Sequence, residues 1–291
     1  MKILITGGMG FVGSNLIDLL LQEKHKIIVL TKSYSKKKNI SHIQAKIKVE
    51  KVDVTNHRKL SNIIELHKPD VIIHLAGITS HSKSFEKPFD DVDQNAKSTL
   101  FILEKLKQMN RKCRFVLGSS FIVVGKPDKL PVDEKTPCWP TTIYGTNRLA
   151  SEHYCKIYHE VYGLDTVIFR ITNSFGPREQ VLSTKNAVNF LIHEAFKGNK
   201  LTIFKNGKFF RDLIYISDVV FGIKTIMNKG KSGDLYWISS GRKIWFYKLG
   251  KLLEKLTGAK VKFVKTPNYT KKVDVGNFVV NNSKLRSLGW K

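Results

Sequence analysis

One stretch restricts the fold of this chain more than any other: ILITGGMGFVGSNLIDLL, residues 3–20. An apolar, β-branched run ends at a glycine pair. Gly7, Gly10 and Gly13 then follow in a G-x-x-G-x-x-G spacing, and a helical pattern begins at Phe11. Glycine lets a backbone turn tightly and approach a pyrophosphate, whose charge then rests on the helix N-terminus. A glycine pattern alone is weak evidence, but the first turn of a β-α-β series is the context that gives it meaning.

That series is present. Strand patterns fall at Lys2–Thr6, Lys26–Leu30, Ile47–Val52, Asp70–Leu75, Arg114–Gly118 and Thr166–Ile171. Helical patterns fall near Phe11–Glu23, Asn56–His67, Val92–Met109 and Thr146–Tyr162. The alternation predicts an α/β fold, a doubly wound parallel Rossmann sheet with helices on both faces. Several strands are almost wholly apolar, as strands buried on both faces should be. Past about residue 175 the rhythm loosens. We expect a dinucleotide-binding domain over 1–175, with a returning segment near 212–240, and a smaller C-terminal α/β substrate-binding portion over 176–291.

The end of the second strand indicates which dinucleotide is held. An acid there would take a free ribose 2'-hydroxyl, and a cation would suit a 2'-phosphate. The sequence reads IIVLTKSYSKKK, so Thr31 stands at the acid position and Lys32 follows it. This leans towards NADP, and NAD stays open because lysine is abundant throughout the chain.

That abundance gives a formal net charge of +26 over 291 residues. The lysines are spread from end to end, without a basic stripe interleaved with aromatics, so a solvated surface is expected and no nucleic-acid partner. No apolar run reaches the roughly 20 residues a membrane span needs. The start enters a strand at once, unlike a signal peptide, and a cytoplasmic protein with no membrane partner is expected. Cys113, Cys138 and Cys155 form no C-x-x-C pair, and the histidines show no H-E-x-x-H spacing, so no metal site is expected.

PTTIYGTNRLASEHY, residues 140–154, places Tyr144 four residues before Arg148. On a helix these share a face, and a nearby cation favours a phenolate. Taken alone, the pair reads better as an exposed helix face that happens to carry a tyrosine and an arginine.

The flanking motifs resemble the extended short-chain dehydrogenase/reductases, in particular the nucleotide-sugar epimerase/dehydratase branch, along essentially the whole chain. TGGMGFVG (6–13) is similar to that family's cofactor loop and adds Phe11 and Val12 to the glycines. KVDVTN (51–56) resembles the adenine-side motif, with Asp53 and Val54. DVIIHLAG (70–77) resembles the strand whose end, Leu75, Ala76 and Gly77, lies along the cofactor. FVLGSSFIVVG (115–125) resembles the strand that delivers the active-site hydroxyl, while FRITNSFGPRE (169–179) and FFRDLIYISDVV (209–220) resemble two sugar-nucleotide motifs.

The resemblance implies a Ser/Thr-Tyr-Lys catalytic set. Ser120 takes the hydroxyl position, with Ser119 as the neighbouring choice of register, and Tyr144 the acid/base position. Arg148 replaces the family lysine. It keeps the charge permanently, but arginine is not a conservative exchange at a tight site. For the substrate, a nucleoside-diphosphate sugar, the resemblance implies Asn173 and Arg211 on the diphosphate. It also implies Asp274 with Lys271, the latter where the family has arginine, and sugar contacts from the loop carrying Thr79, Ser80 and His81. Phe121 follows Ser120, and the Asp-Glu pair of the sugar 4,6-dehydratases is missing there, so dehydration is the least expected reaction. The remaining expectations are an NAD(P)-dependent epimerase acting at C4, an NADPH-dependent 4-keto-sugar reductase, or a catalytically weak dinucleotide binder. Family members often pair through two long helices, here Val92–Met109 and Thr146–Tyr162, which suggests a homodimer.

Overall fold

The computed structural model describes residues 1–109, 111–182, 187–265 and 274–291. Seven strands form the central sheet. In chain order they are β1 (Lys2–Thr6), β2 (Lys26–Thr31), β3 (Lys48–Lys51), β4 (Val71–His74), β5 (Arg114–Ser120), β6 (Thr166–Ile171) and β7 (Leu235–Ile238). Their spatial order is β7-β6-β5-β4-β1-β2-β3, and every pairing is parallel. The winding reverses between β1 and β4. A reversal of this kind opens a crevice at the carboxyl ends of the strands, where ligands bind in such sheets.

Alternation along each strand feeds two apolar layers. Ile3 and Ile5 of β1 pack on one face with Leu16, Ile17, Val219 and Ile223, from the Phe11–Leu21 and Ile216–Lys229 helices. Leu4 packs on the other with Leu60, Ile64, Ile102, Leu103 and Phe115. Each fully buried side chain of this size stabilises the fold by roughly 1.5–3 kcal/mol. Leu235–Ile238 pairs with β6 in register from Leu235 opposite Ile168 and closes that edge of the sheet.

Two elements differ from the sequence reading. The helix read as Val92–Met109 opens with a π-turn, Val92–Lys97, before regular α-helix from Ser98 to Gln108. The extra residue leaves the Asn95 carbonyl to accept from Ser151 Oγ at 2.8 Å and from Thr99 Oγ1 at 3.0 Å. The helix read as starting at Thr146 starts at Ile143, because the Thr142 hydroxyl accepts from the Gly145 N–H at 3.0 Å and caps it. Tyr144 and Arg148 therefore lie on one helix.

The C-terminal portion has its own apolar cluster. Helices Ala187–Phe196 and Phe246–Thr257 pack with the parallel pair Leu201–Ile203 and Val261–Phe263 around Val188, Leu191, Leu201, Ile203 and Leu253. This cluster stands over the carboxyl edge of the sheet, where both portions contribute to the same cavity wall.

Candidate active site

A single cavity of about 750 Å³ runs along the carboxyl ends of the strands. This is the size of a ligand cleft. Gly7, Gly10, Phe11, Val12 and Gly13 line one stretch of it, and Thr31, Lys32, Asp53 and Val54 the adjoining rim. Leu75, Ala76 and Gly77 form its floor, with Ser120, Tyr144 and Arg148 beyond them. Asn173, Arg211 and Asp274 line the far part, and Thr79 also reaches it.

The glycine loop fits a dinucleotide. A Cβ on Gly13 would stand 2.7 Å from the Gly7 carbonyl oxygen and from the Gly8 Cα, so the turn closes only around glycine. The helix that follows, Phe11–Leu21, has Gly10 at its N-cap, with no side-chain cap among the described residues and no acid in its first turn. Its N-terminal N–H groups thus remain available for an anion. On the rim, the Thr31 hydroxyl donates to the Ser33 carbonyl at 2.7 Å, and Lys32 Nζ lies 3.4 Å from Gln94 Oε1. Asp53 caps its own turn, accepting from the N–H and hydroxyl of Thr55 at 3.0 and 2.9 Å.

Arg148 is 3% exposed. Its Nη1 donates to the Gly118 carbonyl at 3.0 Å and its Nη2 to the Ala76 carbonyl at 3.4 Å. Nε is buried without a hydrogen-bond partner among the described residues. The guanidinium carbon is 5.8 Å from the centre of the Tyr144 ring. Room for this bulky head comes from Gly77, where φ is +151° and a Cβ would run into Arg148 Nη2 and Asn95 Oδ1. A cation thus lies beside the Tyr144 ring, but fastened to the ends of two strands.

Beneath it, His74 is fully buried. Thr6 Oγ1 accepts from the Leu75 and Ala76 N–H groups, at 3.2 and 3.1 Å, so its own proton goes to His74 Nδ1 at 2.7 Å. The imidazole proton then sits on Nε2, facing Ser98 Oγ at 3.2 Å, and Ser98 donates to the Gln94 carbonyl at 2.7 Å. Burial, with the Arg148 charge added, pushes the His74 pKa down to about 3, so the ring stays neutral. It ties the ends of β1 and β4 to the helix behind the site.

The two serines at the end of β5 point to different partners. Ser119 Oγ donates to Glu152 Oε1 at 2.5 Å, and Glu152 also receives both arms of Arg170, at 2.9 and 2.6 Å. Ser119 is thereby committed to a buried ion pair. Ser120 Oγ accepts from the Ile122 N–H at 3.3 Å, and the residue lines the cavity. Phe121 lines the wall and packs edge-on to Phe278, with centroids 5.0 Å apart.

In the far part, Arg211 Nη2 pairs with Asp274 Oδ1 at 2.8 Å, and Lys205 Nζ pairs with Asp274 Oδ2. Burial raises the Asp274 pKa, but the Lys205 hydrogen bond and the Arg211 charge outweigh it and hold the carboxyl below its ordinary range. Asp212, the sequence neighbour of Arg211, is not its partner. It is fully buried and accepts from the N–H groups of Ser240, Gly241 and Val280 at 2.8–3.2 Å. Asn173 opens the short strand Asn173–Phe175 and reaches the Asp212 carbonyl at 3.4 Å.

Two expected residues stand apart from this geometry. Ser80 does not line the cavity. Its hydroxyl accepts from the Lys83 N–H at 3.4 Å and caps the short helix His81–Glu86, a use of serine that a turn sequence cannot distinguish from a ligand contact. Lys271 lies outside the described residues.

Residues 3–239 match the sequence model of the NAD dependent epimerase/dehydratase family. The chain belongs to that family. A Methanocaldococcus jannaschii protein, provisionally named a UDP-glucose 4-epimerase, is 28% identical over 289 residues, which is 99% of this chain and 92% of that protein. Two solved structures superpose along the full chain. A UDP-glucose 4-epimerase from Thermotoga maritima, solved with UDP-glucose, gives a TM-score of 0.91 at 28% identity and is covered to 93%. A UDP-glucuronic acid 4-epimerase from Bacillus cereus, solved with UDP-glucuronic acid and NAD, gives 0.87 at 27% identity and is covered to 94%.

Within this epimerase/dehydratase fold, several cavity residues escaped the sequence reading. Phe204, Lys205, Phe209 and Phe246 all line the wall near Arg211. Phe209 and Phe246 stack with centroids 4.2 Å apart. They come from separate elements of the C-terminal portion, and no sequence spacing relates them. Lys205 carried no signal in so lysine-rich a chain.

Proposed function

We propose that the protein modifies a nucleoside-diphosphate sugar by reversible hydride transfer at C4, as a sugar 4-epimerase. The carrying observation is the single cavity that joins the glycine loop, the Ser120-Tyr144-Arg148 group and the Arg211-bearing far wall. A dinucleotide bound along the loop would supply the hydride acceptor and donor. Gly7, Gly10, Phe11, Val12 and Gly13 would hold its pyrophosphate, Asp53 and Val54 its adenine side, and Leu75, Ala76 and Gly77 its nicotinamide side.

Tyr144, as phenolate, takes the proton from the sugar hydroxyl and later returns it. Ser120 donates to the same oxygen and holds it in line. Arg148 keeps a positive charge beside the tyrosine in both half-steps, since a guanidinium stays protonated. The substrate diphosphate is held by Arg211, a side chain suited to bidentate phosphate contact, with Asn173 and Asp274 beside it and Thr79 towards the sugar. Residues 121 and 122 are both apolar, so the wall after Ser120 carries no acid or base for eliminating water.

A second reading is supported by the rim. Thr31, Lys32 and Lys36 line the adenine end with no acid on the β2 terminus. This favours a 2'-phosphate and a 4-keto-sugar reductase that exchanges NADPH. Ile157 and Val161, four residues apart on the Ile143–Tyr162 helix, are exposed, which supports pairing of two copies through that helix.

The test is incubation with UDP-glucose, UDP-galactose, UDP-glucuronic acid and dTDP-glucose, with products separated by chromatography. Interconversion of C4 epimers without net cofactor consumption is the expected result, lost in Tyr144→Phe. Consumption of NADPH with a 4-keto sugar, and no interconversion, selects the reductase.

A further inference from the structure

We propose that Lys205 is a second cation of the substrate-diphosphate subsite, acting with Arg211. The inference rests on the nucleotide-sugar reading above and adds a residue to it.

Three observations carry it. Lys205 and Arg211 grip the two oxygens of the same carboxylate, Asp274, from separate elements. Both also flank one aromatic ring. Lys205 Nζ is 5.8 Å and the Arg211 guanidinium carbon 5.1 Å from the centre of Phe209, and all four side chains line the cavity. Lys205 is held there against backbone preference. Its φ is +53°, followed by +50° at Asn206 and +68° at Gly207. Left-handed conformations at two successive non-glycine residues are costly and persist where the surroundings fix them. Here the Asn206 N–H is fixed to the Val264 carbonyl at 3.0 Å and the Lys208 N–H to the Lys205 carbonyl at 2.8 Å.

Charge decides what this pair takes. Among the described residues the cavity wall carries five cations, Lys32, Lys36, Arg148, Lys205 and Arg211, against the carboxylates of Asp53, Glu179 and Asp274. Asp274 supplies one negative charge to two cations, whereas a nucleoside diphosphate brings at least two. The two-cation wall therefore favours the diphosphate over a neutral nucleoside. An ammonium on a flexible stem suits this work as a point charge beside the forked contact of Arg211.

Calorimetric titration with UDP, uridine and inorganic pyrophosphate tests the assignment without requiring turnover. Lys205→Ala and Lys205→Gln are expected to weaken UDP and pyrophosphate about tenfold or more, to leave uridine within about twofold, and to leave Tm unchanged. Lys205→Arg is expected to retain most of the affinity. Unchanged UDP affinity in both variants overturns the proposal, as does an equal loss for UDP and uridine, since Lys205 would then only order its loop. If both truncations unfold, the arginine variant and the salt dependence of wild-type UDP binding decide: a salt-insensitive affinity overturns it. Wild-type protein that takes none of UDP, dTDP, GDP and pyrophosphate would instead overturn the nucleotide-sugar reading itself.

Discussion

Arg148 donates to the carbonyl of Gly118 at 3.0 Å, which fastens the cation beside Tyr144 to the end of β5. Its position is set by the sheet and by the room at Gly77, and a shorter ammonium would lose the fork across Ala76 and Gly118. Arg148→Met should lower kcat by about 10²–10³, within the range of lost acid/base support. Arg148→Lys should retain more, within about tenfold of wild type. Steady-state kinetics on the accepted sugar nucleotide checks both.

Ser119 and Ser120 should separate stability from catalysis. Ser119→Ala strips a donor from the buried Glu152–Arg170 pair and should cost about 1–3 kcal/mol in urea unfolding, with little change in kcat. Ser120→Ala loses only a weak local cap and should cost under about 1 kcal/mol, while kcat falls by about one to two orders of magnitude. The reverse pattern would place the catalytic hydroxyl on Ser119.

His74 should leave a signature in the pH dependence of stability. Its folded pKa is lowered to about 3 from 6.5, so below pH 6.5 the unfolded chain binds a proton that the folded state refuses. Stability from this group is therefore complete above pH 6.5 and falls with pH down to about 3, at no more than roughly 1.4 kcal/mol per unit. Urea unfolding of wild type against His74→Gln between pH 4.5 and 7.5 reads this. The variant should be less stable at pH 7.5 and show a shallower loss towards acid.

Lys32 and Thr31 should set cofactor preference. Lys32→Ala is expected to weaken NADPH binding several-fold relative to NADH, and Thr31→Asp to favour NADH further by offering an acceptor to the ribose 2'-hydroxyl. Fluorescence titration with the two reduced dinucleotides gives the ratio directly.

The sheet was legible because its cause is local and repeated. Apolar runs such as Ile3–Ile5 and Val71–Ile73 carry the strand pattern themselves, and the glycine spacing at 7, 10 and 13 marks the turn. The Tyr144–Arg148 pair could be read as neighbours because helix geometry fixes i and i+4. What stayed hidden depends on residues far apart in the chain. The meeting of Lys205, Arg211 and Asp274 spans three segments, and the choice between Ser119 and Ser120 turns on Glu152, which meets Ser119 across 33 residues and is itself paired with Arg170. Ser80 shows the converse, a polar loop residue drawn into capping its own short helix.

The measurement that bears most directly on the central claim is the identity of the nucleotide released when the purified protein is denatured, read by mass. An epimerase that recycles its hydride should release tightly held NAD in near one-to-one amount. A protein that releases no dinucleotide, and then binds NADPH reversibly, would contradict the epimerase account and establish the exchange chemistry of a reductase.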